Sequence, residues 1–315
     1  MARFPVLESL IDPAAFTVVD AGGRGGFSLL PQLHSYCDLF SFEPDTESWQ
    51  ALRERYAKKH PFRNVALSGN ALSDTNGTAT FYSAKHPSMS SLLPPDLARF
   101  EASFGEVRHS DEWMKGMQTA KTFEVKTETL SSFAETRQLH TIDFLKLDTQ
   151  GSELQILRGA EKLLREKRIG MIFTEVLMLP VYEEQAVFSE IDQYLRGIGY
   201  RFIDLRVYAE AVARENTWSA QLQEQPKYAM GGDAVYVPDF STDGNGIAPA
   251  RSAILLAALG YFSDSKDLLQ KHCGKNQTEI EALFREVMPP QQHLKRFALR
   301  WLPPALARMI SRRLR

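Results

Sequence analysis

Cysteine is scarce in this 315-residue sequence: the two present, Cys37 and Cys273, are far apart, and neither has a second thiol nearby. This spacing excludes a disulfide framework and a cysteine metal site, and it fits a reducing compartment. Long apolar runs are also missing. No segment approaches the length of a membrane span, and the first residues carry Glu8 and Asp12 instead of an apolar signal-peptide core. We therefore expect a cytoplasmic globular protein.

Acidic residues are absent from residues 291–315, which hold seven basic side chains, although the whole chain has a net charge of -2. Pro303 and Pro304 divide this basic tail into two short predicted helices, the first with Phe297 and Trp301 on its apolar face. The tail is interpreted as a solvated helical pair or as an amphipathic element on an anionic membrane. The second interpretation adds a peripheral contact with the inner face of the membrane. No nucleic-acid partner is expected.

Short apolar runs alternate with helical patterns along most of the chain. Runs such as FTVVD and IDFLKLD are typical of strands buried on both faces, and SWQALRERYAKKH has apolar residues at helical spacing. This alternation predicts an α/β fold with a largely parallel sheet and helices on both faces. Strands are predicted at 16–20, 39–43, 63–68, 142–148, 170–176, within 188–205 and at 233–240, and helices at 48–60 and 151–167.

Two regions depart from this alternation. Residues 84–120 are rich in Ser, Pro, Met and Phe and are too long for an ordinary connection, so we interpret them as an irregular insertion that forms a lid or a substrate loop. From residue 245 onward the pattern is helical. The predicted organisation is a domain over residues 1–240 and a helical C-terminal extension over 245–315 that ends in the basic tail.

Glycine is concentrated between Asp20, which ends the first predicted strand, and a helix predicted to begin near Ser28. A strand, a glycine turn and a helix N-terminus in this order let a ligand lie against the backbone. The G-x-G-x-x-G pattern of dinucleotide sites is incomplete, because Gly23 and Gly25 are followed by Ser28. Glu43 comes about 20 residues after the turn, where an acid can accept hydrogen bonds from the ribose of an adenosine cofactor.

Further motifs follow this turn in a fixed order: FSFEPDTESWQAL, NVALSGNALSDTNGTATFY, SMSSLL, VKTETLSSF, IDFLKLDTQGSELQILRGAEKLL and IFTEV. In order and spacing, over residues 16–205, they resemble the FkbM-type S-adenosylmethionine-dependent methyltransferases. The resemblance implies a class I methyltransferase domain, which is Rossmann-like and has a seven-stranded sheet with an antiparallel last strand. It also implies that S-adenosyl-L-methionine binds across the carboxyl ends of the first strands.

The resemblance extends to individual site residues. It implies cofactor contacts from three glycines of the turn and from three acids, and acceptor contacts from a serine pair: Asp20, Gly22, Gly23, Gly26, Glu43, Asp74, Ser90 and Ser91. Asp74 would approach the adenine amine, although a solvated turn before Asn76 is an equal alternative. Two positions depart from the family pattern, since Arg24 replaces a usual Asn and Gln150 replaces a frequent acid.

Lys146 and Asp148 end a predicted strand at the sheet edge where such folds bind ligands. If the acceptor is a hydroxyl, a carboxylate can take its proton, so Asp148 is the first candidate base and Glu175 the second, while Lys146 is a candidate substrate contact. Glu175 is alternatively a structural ion-pair partner. Asp148 and Glu153 have a spacing that suits a divalent cation, but Glu153 equally suits a helix start, and no metal site is predicted.

His86 and His109 lie in the insertion and are interpreted as surface histidines. The sequence thus predicts an S-adenosylmethionine-dependent O-methyltransferase that acts on a sugar hydroxyl of a small-molecule or glycan acceptor in glycan or polysaccharide biosynthesis. One alternative is an NAD-dependent Rossmann oxidoreductase, against which the missing third glycine argues. The other is a non-catalytic protein of the same fold that recruits partners through its C-terminal helices. The two departures from the family pattern, Arg24 and Gln150, favour this alternative.

Overall fold

The computed structural model describes residues 4–11, 15–105, 107, 109–212, 227–241 and 246–288. Its strands are β1 (Phe16–Ala21), β2 (Cys37–Phe42), β3 (Asn64–Ser68), β4 (Ala71–Ser73), β5 (Gly77–Ala84), β6 (Thr119–Thr129), β7 (Phe144–Leu147), β8 (Ile172–Leu177), β9 (Tyr200–Val212) and β10 (Lys227–Pro238). Its helices are α1 (Pro5–Leu10), α2 (Thr46–Lys58), α3 (Leu97–Phe104), α4 (Ser110–Met117), α5 (Leu130–Thr136), α6 (Glu153–Gly159), α7 (Glu161–Arg165), α8 (Phe188–Gly197), α9 (Pro249–Ala258), α10 (Phe262–Cys273) and α11 (Gln277–Val287).

The main sheet has seven strands in the order β3-β2-β1-β7-β8-β10-β9. Strands β1, β2, β3, β7 and β8 pair in parallel, whereas β10 runs antiparallel to both β8 and β9. Side chains of the central strands are buried on both faces, Val18 and Val19 of β1 and Phe144 and Leu145 of β7 among them. The predicted α/β fold, with its antiparallel last strand, is confirmed.

A second sheet of three strands, which sequence reasoning missed, follows the order β4-β6-β5. Strand β6 pairs in parallel with β4 and antiparallel with β5. Its signal was present in the sequence, because Phe123, Val125 and Thr127 alternate with exposed polar residues. This sheet holds both ends of the 84–120 insertion, where the amide of Lys85 donates to the carbonyl of Gln118 at 2.9 Å.

The insertion is more regular than predicted. It begins with a short 3-10 helix, Pro87–Met89, and then forms α3 and α4. These helices have only eight residues each, which is too short for a clear helical period in a segment rich in Ser, Pro and Met. Phe100 and Phe104 of α3 are buried one helical turn apart and anchor it. The amide of Asp96 also donates to the carbonyl of Val181 at 2.9 Å, which ties the insertion to the segment after β8.

The helix predicted over 151–167 is divided into α6 and α7. A Cβ atom on Gly159 would lie 2.2 Å from the carbonyl oxygen of Ser73, so glycine is required where α6 meets β4. Ala160 then leaves the helical region with φ -102°. Leu154 and Leu157 of α6 are buried in the same core as Val19 and Leu145 of the sheet.

A second compact unit contains α1, the 3-10 helix Pro31–Tyr36 and helices α9 to α11. Gln32 donates through its amide nitrogen to the carbonyls of Ala258 and Val287 at 2.7 and 2.9 Å. The carboxylate of Glu286 accepts the amides of Val6 and Leu7 at 3.1 and 2.9 Å. The helical pattern predicted after residue 245 is therefore confirmed over α9 to α11, whereas the basic tail 291–315 lies outside the described residues.

Within the part of the chain that the structure describes, no helix combines the length and the hydropathy needed to cross a bilayer.

Candidate active site

A cleft of about 530 Å³ lies at the carboxyl ends of β1, β2 and β7, the edge where open α/β sheets bind ligands. The turn after β1 forms one part of it. Gly22 has φ +79°, and a Cβ atom there would lie 1.9 Å from the carbonyl oxygen of Asp148, so the two backbones approach too closely for any other residue. The amides of Gly22 and Gly23 both donate to the carbonyl of Phe42, at 3.2 and 2.9 Å. These contacts fix the turn against β2.

The rest of the turn differs from the prediction. The amide of Gly26 donates to the carbonyl of Gly23 at 2.9 Å, which closes the turn. The prediction of a helix that begins near Ser28 is wrong. Leu30 has φ +56°, which is incompatible with an α-helix at this position, and only the 3-10 helix Pro31–Tyr36 follows. At this turn a ligand in the cleft would therefore contact backbone atoms, and the helix N-terminus predicted there is absent.

Asp20, Lys146 and Asp148 form an ion cluster beside the turn. Nζ of Lys146 lies 3.2 Å from Oδ1 of Asp20 and 3.3 Å from Oδ2 of Asp148. Oγ of Ser41 donates to Oδ2 of Asp20 at 3.0 Å. Burial lowers the pKa of Lys146, but the attraction of the two carboxylates outweighs it and the pKa is raised overall, so the lysine stays charged. Asp20 is 1% exposed and is not among the residues that line the cleft. It therefore supports the turn and does not face a ligand.

Glu43 lines the cleft directly after β2. One carboxylate oxygen accepts the amide of Asp45 at 2.9 Å. Burial raises the pKa of Glu43 to about 7, although the Asp45 amide opposes that rise. Four apolar side chains also line the cleft, from β2, β4 and β5: Phe42, Ala71, Leu72 and Phe81. An acid beside an apolar surface suits a ligand with a ribose diol and a flat base.

Gln150 joins the two predicted base candidates. Its Nε2 donates to Oδ1 of Asp148 at 3.2 Å and to Oε2 of Glu175 at 2.7 Å. Its Oε1 lies 3.4 Å from the hydroxyl oxygen of Tyr182, and burial raises the pKa of that hydroxyl, so it stays protonated. Gln150 also has φ +56°, an uncommon backbone state for a residue other than glycine. The structure therefore brings Asp148 and Glu175 together through a side chain for which the sequence suggested no role.

Asp233 is a further carboxylate in the cleft, beside Asp148 and Glu175, and sequence reasoning missed it. It lies in β10 opposite Glu175 of β8 and Arg206 of β9. Burial, reinforced by the charge of Asp148, raises the pKa of Asp233 to about 6. The sequence signal was a single acid that opens the apolar run DAVYV, but its place beside Glu175 depends on an antiparallel pairing that the sequence alone does not specify.

Glu153 has a structural role. Its carboxylate accepts the amides of Thr149 and Gly151, at 2.7 and 2.9 Å, and thereby holds the turn that carries Gln150. Glu153 is also the first residue of α6, as the helix-start interpretation predicted. Among the described residues there is no group of His, Cys, Asp and Glu side chains that could hold a metal ion.

Of five other positions singled out in the sequence, only Ser90 lines the cleft. Ser90 lines the cleft and its hydroxyl accepts the amide of Ala84 at 3.0 Å, whereas Ser91 is buried and donates to the carbonyl of Gln150 at 2.7 Å. Asp74 is exposed in the turn after β4 and is not among the residues that line the cleft. His86 and His109 are likewise exposed and outside it.

The strand order, the antiparallel β10 and the cleft at the carboxyl ends of the parallel strands define a class I methyltransferase fold. Residues 21–202, more than half of the chain, match the family model described as the Methyltransferase FkbM domain. The chain therefore belongs to the FkbM methyltransferase family, as its motifs predicted.

Similar proteins are found among characterised sequences and solved structures. A 2-O-methyltransferase, NoeI of Sinorhizobium fredii (strain NBRC 101917 / NGR234), is 28% identical over 184 residues, which cover 57% of this chain and 70% of that protein. Methyltransferase FkbM from Methylobacillus flagellatus KT has a TM-score of 0.40 and 13% identity over 71% of this chain and 44% of that one. This chain thus spans less than half of that structure's length. A TehB-like SAM-dependent methyltransferase from Corynebacterium glutamicum ATCC 13032 Kitasato has a TM-score of 0.30 and 9% identity, over 75% of this chain and 86% of that one.

Proposed function

We propose that this chain transfers a methyl group from S-adenosyl-L-methionine to a sugar hydroxyl of a glycan or small-molecule acceptor. The observation that carries the proposal is the meeting, in one cleft, of a glycine turn, a buried acid at Glu43 and three carboxylates, Asp148, Glu175 and Asp233. The first two features suit an adenosyl cofactor, and the carboxylates suit a hydroxyl acceptor. Family membership supports the methyltransferase class and gives no support to the NAD-dependent alternative.

The residues present fit S-adenosylmethionine in three respects. Gly22 lines the cleft with backbone atoms alone. Glu43 is positioned to accept hydrogen bonds from the ribose hydroxyls, and the apolar lining from Phe42, Leu72 and Phe81 suits the adenine ring. When bound, the cofactor supplies a methyl group already activated by its sulfonium sulfur. The protein's task is then to orient the acceptor and to exclude water.

Proton removal from the acceptor falls to a carboxylate of the cleft. The carboxylate of Asp148 is already engaged by the Lys146 ammonium, 3.3 Å away, and by the side-chain amide of Gln150. Asp233 has a pKa of about 6, nearer to the pH at which the reaction would operate. We therefore assign proton acceptance to Asp233 in preference to the earlier candidates Asp148 and Glu175. Those two residues, joined by Gln150, are assigned the positioning of the acceptor hydroxyl.

The O-methyl part of the proposal has separate support. The relative from Sinorhizobium fredii is a 2-O-methyltransferase, and its identity of 28% extends over 57% of this chain. A cleft with several carboxylates can accept the multiple hydroxyl hydrogen bonds of a sugar.

Methyl transfer to glycans tests the proposal and separates it from the non-catalytic alternative. Purified protein is incubated with methyl-labelled S-adenosylmethionine and glycan fractions from cell extracts, and the fractions are examined for label by mass spectrometry. We expect label in at least one fraction and its loss with Asp20→Ala, which removes the partner of Lys146 beneath the glycine turn. No labelled glycan, with S-adenosylmethionine binding intact, would favour the non-catalytic alternative.

A further inference from the structure

A second pocket, of about 160 Å³, lies next to the cleft, between the insertion and residues at and after the end of β8. Phe100 and Phe104 of α3 contribute two rings whose centroids are 5.4 Å apart. Trp113 and Met117 of α4 extend the same surface. Among the described residues that line this apolar pocket, none carries a charge. Such a lining binds hydrocarbon groups and disfavours sugars and phosphates.

Two residues connect the apolar pocket to the cleft. Met89 and Gln150 line both spaces. Tyr182, which also lines the apolar pocket, donates its hydroxyl to the carbonyl of Met89 at 2.9 Å and approaches Oε1 of Gln150 at 3.4 Å. An acceptor whose hydroxyl lies near the carboxylates that Gln150 joins would therefore have its neighbouring atoms beside the pocket.

The size of the apolar pocket restricts what it can hold. Apolar cavities of roughly 150 Å³ take up one benzene-sized group. Met117 and Met230 give the lining adaptable walls, while the aromatic rings offer flat surfaces for stacking. Leu179 lines the same pocket and is 43% exposed, so its side chain is accessible to a ligand.

We propose that the apolar pocket is the subsite for an apolar group on the methyl acceptor. The acceptor would then be an amphipathic hydroxyl compound, such as a glycoside with a phenyl-sized ring or a short alkyl chain next to the methylated sugar, and not a free polar saccharide. This inference rests on the proposed function, because it needs the reacting hydroxyl to lie in the cleft beside Gln150.

Two glucosides that differ only in the attached group test the inference. Methyl β-D-glucoside and phenyl β-D-glucoside are titrated calorimetrically into protein saturated with S-adenosylhomocysteine, the demethylated cofactor. Burial of the phenyl ring is expected to tighten binding by about 10- to 100-fold. Leu179→Asn and Trp113→Ala should each remove most of this preference. Val207→Asn is the matched control, because Val207 is 40% exposed and does not line the apolar pocket.

The outcomes separate the two proposals. Failure of the wild-type protein to bind S-adenosylhomocysteine would contradict the proposed function itself. Intact binding of S-adenosylhomocysteine with equal glucoside affinities, or with no binding of either glucoside, would overturn the pocket assignment alone. A phenyl preference that survives in Leu179→Asn and Trp113→Ala would also overturn it, because the ring would then bind elsewhere. A dimer that dissociates in Leu179→Asn, with no phenyl preference in the wild type, would mean that a second copy covers the surface.

Discussion

Nζ of Lys146 lies 3.2 Å from Oδ1 of Asp20, and this ion pair joins β7 to the end of β1 directly beside the glycine turn. Asp20 is almost fully buried, and the side chain of Lys146 is 17% exposed, so neither charge is well solvated. The same ammonium lies 3.4 Å from the carbonyl oxygen of Gly22. The pair therefore supports the backbone that would contact the cofactor.

Removal of this ammonium is expected to be costly. Lys146→Met leaves Asp20 as an uncompensated buried charge and should lower the free energy of unfolding by about 3–5 kcal/mol. Lys162→Met is the matched control: Lys162 pairs with Glu135 at 3.0 Å, but both are more than half exposed, so its loss should cost less than about 1 kcal/mol. Urea denaturation measures both variants. Equal losses of stability would show that the buried pair contributes no more than an exposed one. If the double variant Asp20→Asn with Lys146→Met regains part of the stability lost in Lys146→Met, the cost comes from the buried charge of Asp20.

A charge at position 150 is expected to disrupt the carboxylates that Gln150 joins. Gln150→Glu replaces a donor to Asp148 and Glu175 with a third negative charge. Repulsion is largest when all three groups are ionised, so the variant should lose more thermal stability at pH 8 than at pH 5. Melting temperatures of the wild type and the variant at pH 5 and pH 8 test this expected direction.

Gln118→Glu is the control for that substitution. Gln118 accepts a hydrogen bond from the ammonium of Lys85, so a carboxylate there gains an opposite charge and should be neutral or slightly stabilising at pH 8. If Gln150→Glu were as well tolerated as Gln118→Glu, the three side chains could not be close enough to interact.

Asp233 should set the acidic limb of the pH–rate profile measured at saturating S-adenosylmethionine. Its pKa is raised to about 6, and a base accepts a proton only when it is ionised, so methyl transfer should fall about tenfold per pH unit below 6. Asp233→Asn should remove that limb and slow the reaction by about 100-fold or more. If a limb near pH 6 persists in Asp233→Asn, the proton acceptor is Asp148 or Glu175 instead. The variants Asp148→Asn and Glu175→Gln would then show which of the two residues it is.

Binding of the basic tail to membranes remains a prediction from its sequence, and we propose a direct test. Deletion of residues 291–315 removes seven basic side chains and should reduce sedimentation with vesicles that contain anionic lipid, most clearly at low salt. Binding of S-adenosylhomocysteine should be unchanged in the truncated protein. Equal vesicle binding by both proteins would rule out the membrane interpretation.

The sequence predicted the parallel core well because each of its strands is a short apolar run with a turn at its end, as in FTVVD and IDFLKLD. Glu43 could be found because its place after a strand is set by local order along the chain. Asp233 could not, since its proximity to Glu175 depends on how two distant strands align. The connecting role of Gln150 was hidden for the same reason, because its partners lie 2 and 25 residues away and meet only in the folded turn.

The insertion shows a different limit. Its two helices are short, and neither repeats its apolar spacing often enough to be distinguished from a loop. Their apolar residues become recognisable as one surface only when the second sheet brings both ends of the insertion together. The apolar pocket is a product of that closure and has no sequence signature of its own.

Titration of S-adenosylhomocysteine into the purified protein tests most directly whether the glycine turn and Glu43 form an adenosyl-binding site. We expect saturable binding at pH 8 that weakens about tenfold at pH 6, because protonation of a carboxyl with a pKa of about 7 removes its charge and turns one oxygen from an acceptor of ribose hydrogen bonds into a donor. Glu43→Gln should bind at least about tenfold more weakly at pH 8 and lose this pH dependence. The control Glu47→Gln, at an exposed site on α2, should match the wild type. No binding by the wild type, or equal binding by Glu43→Gln at both pH values, would contradict the site.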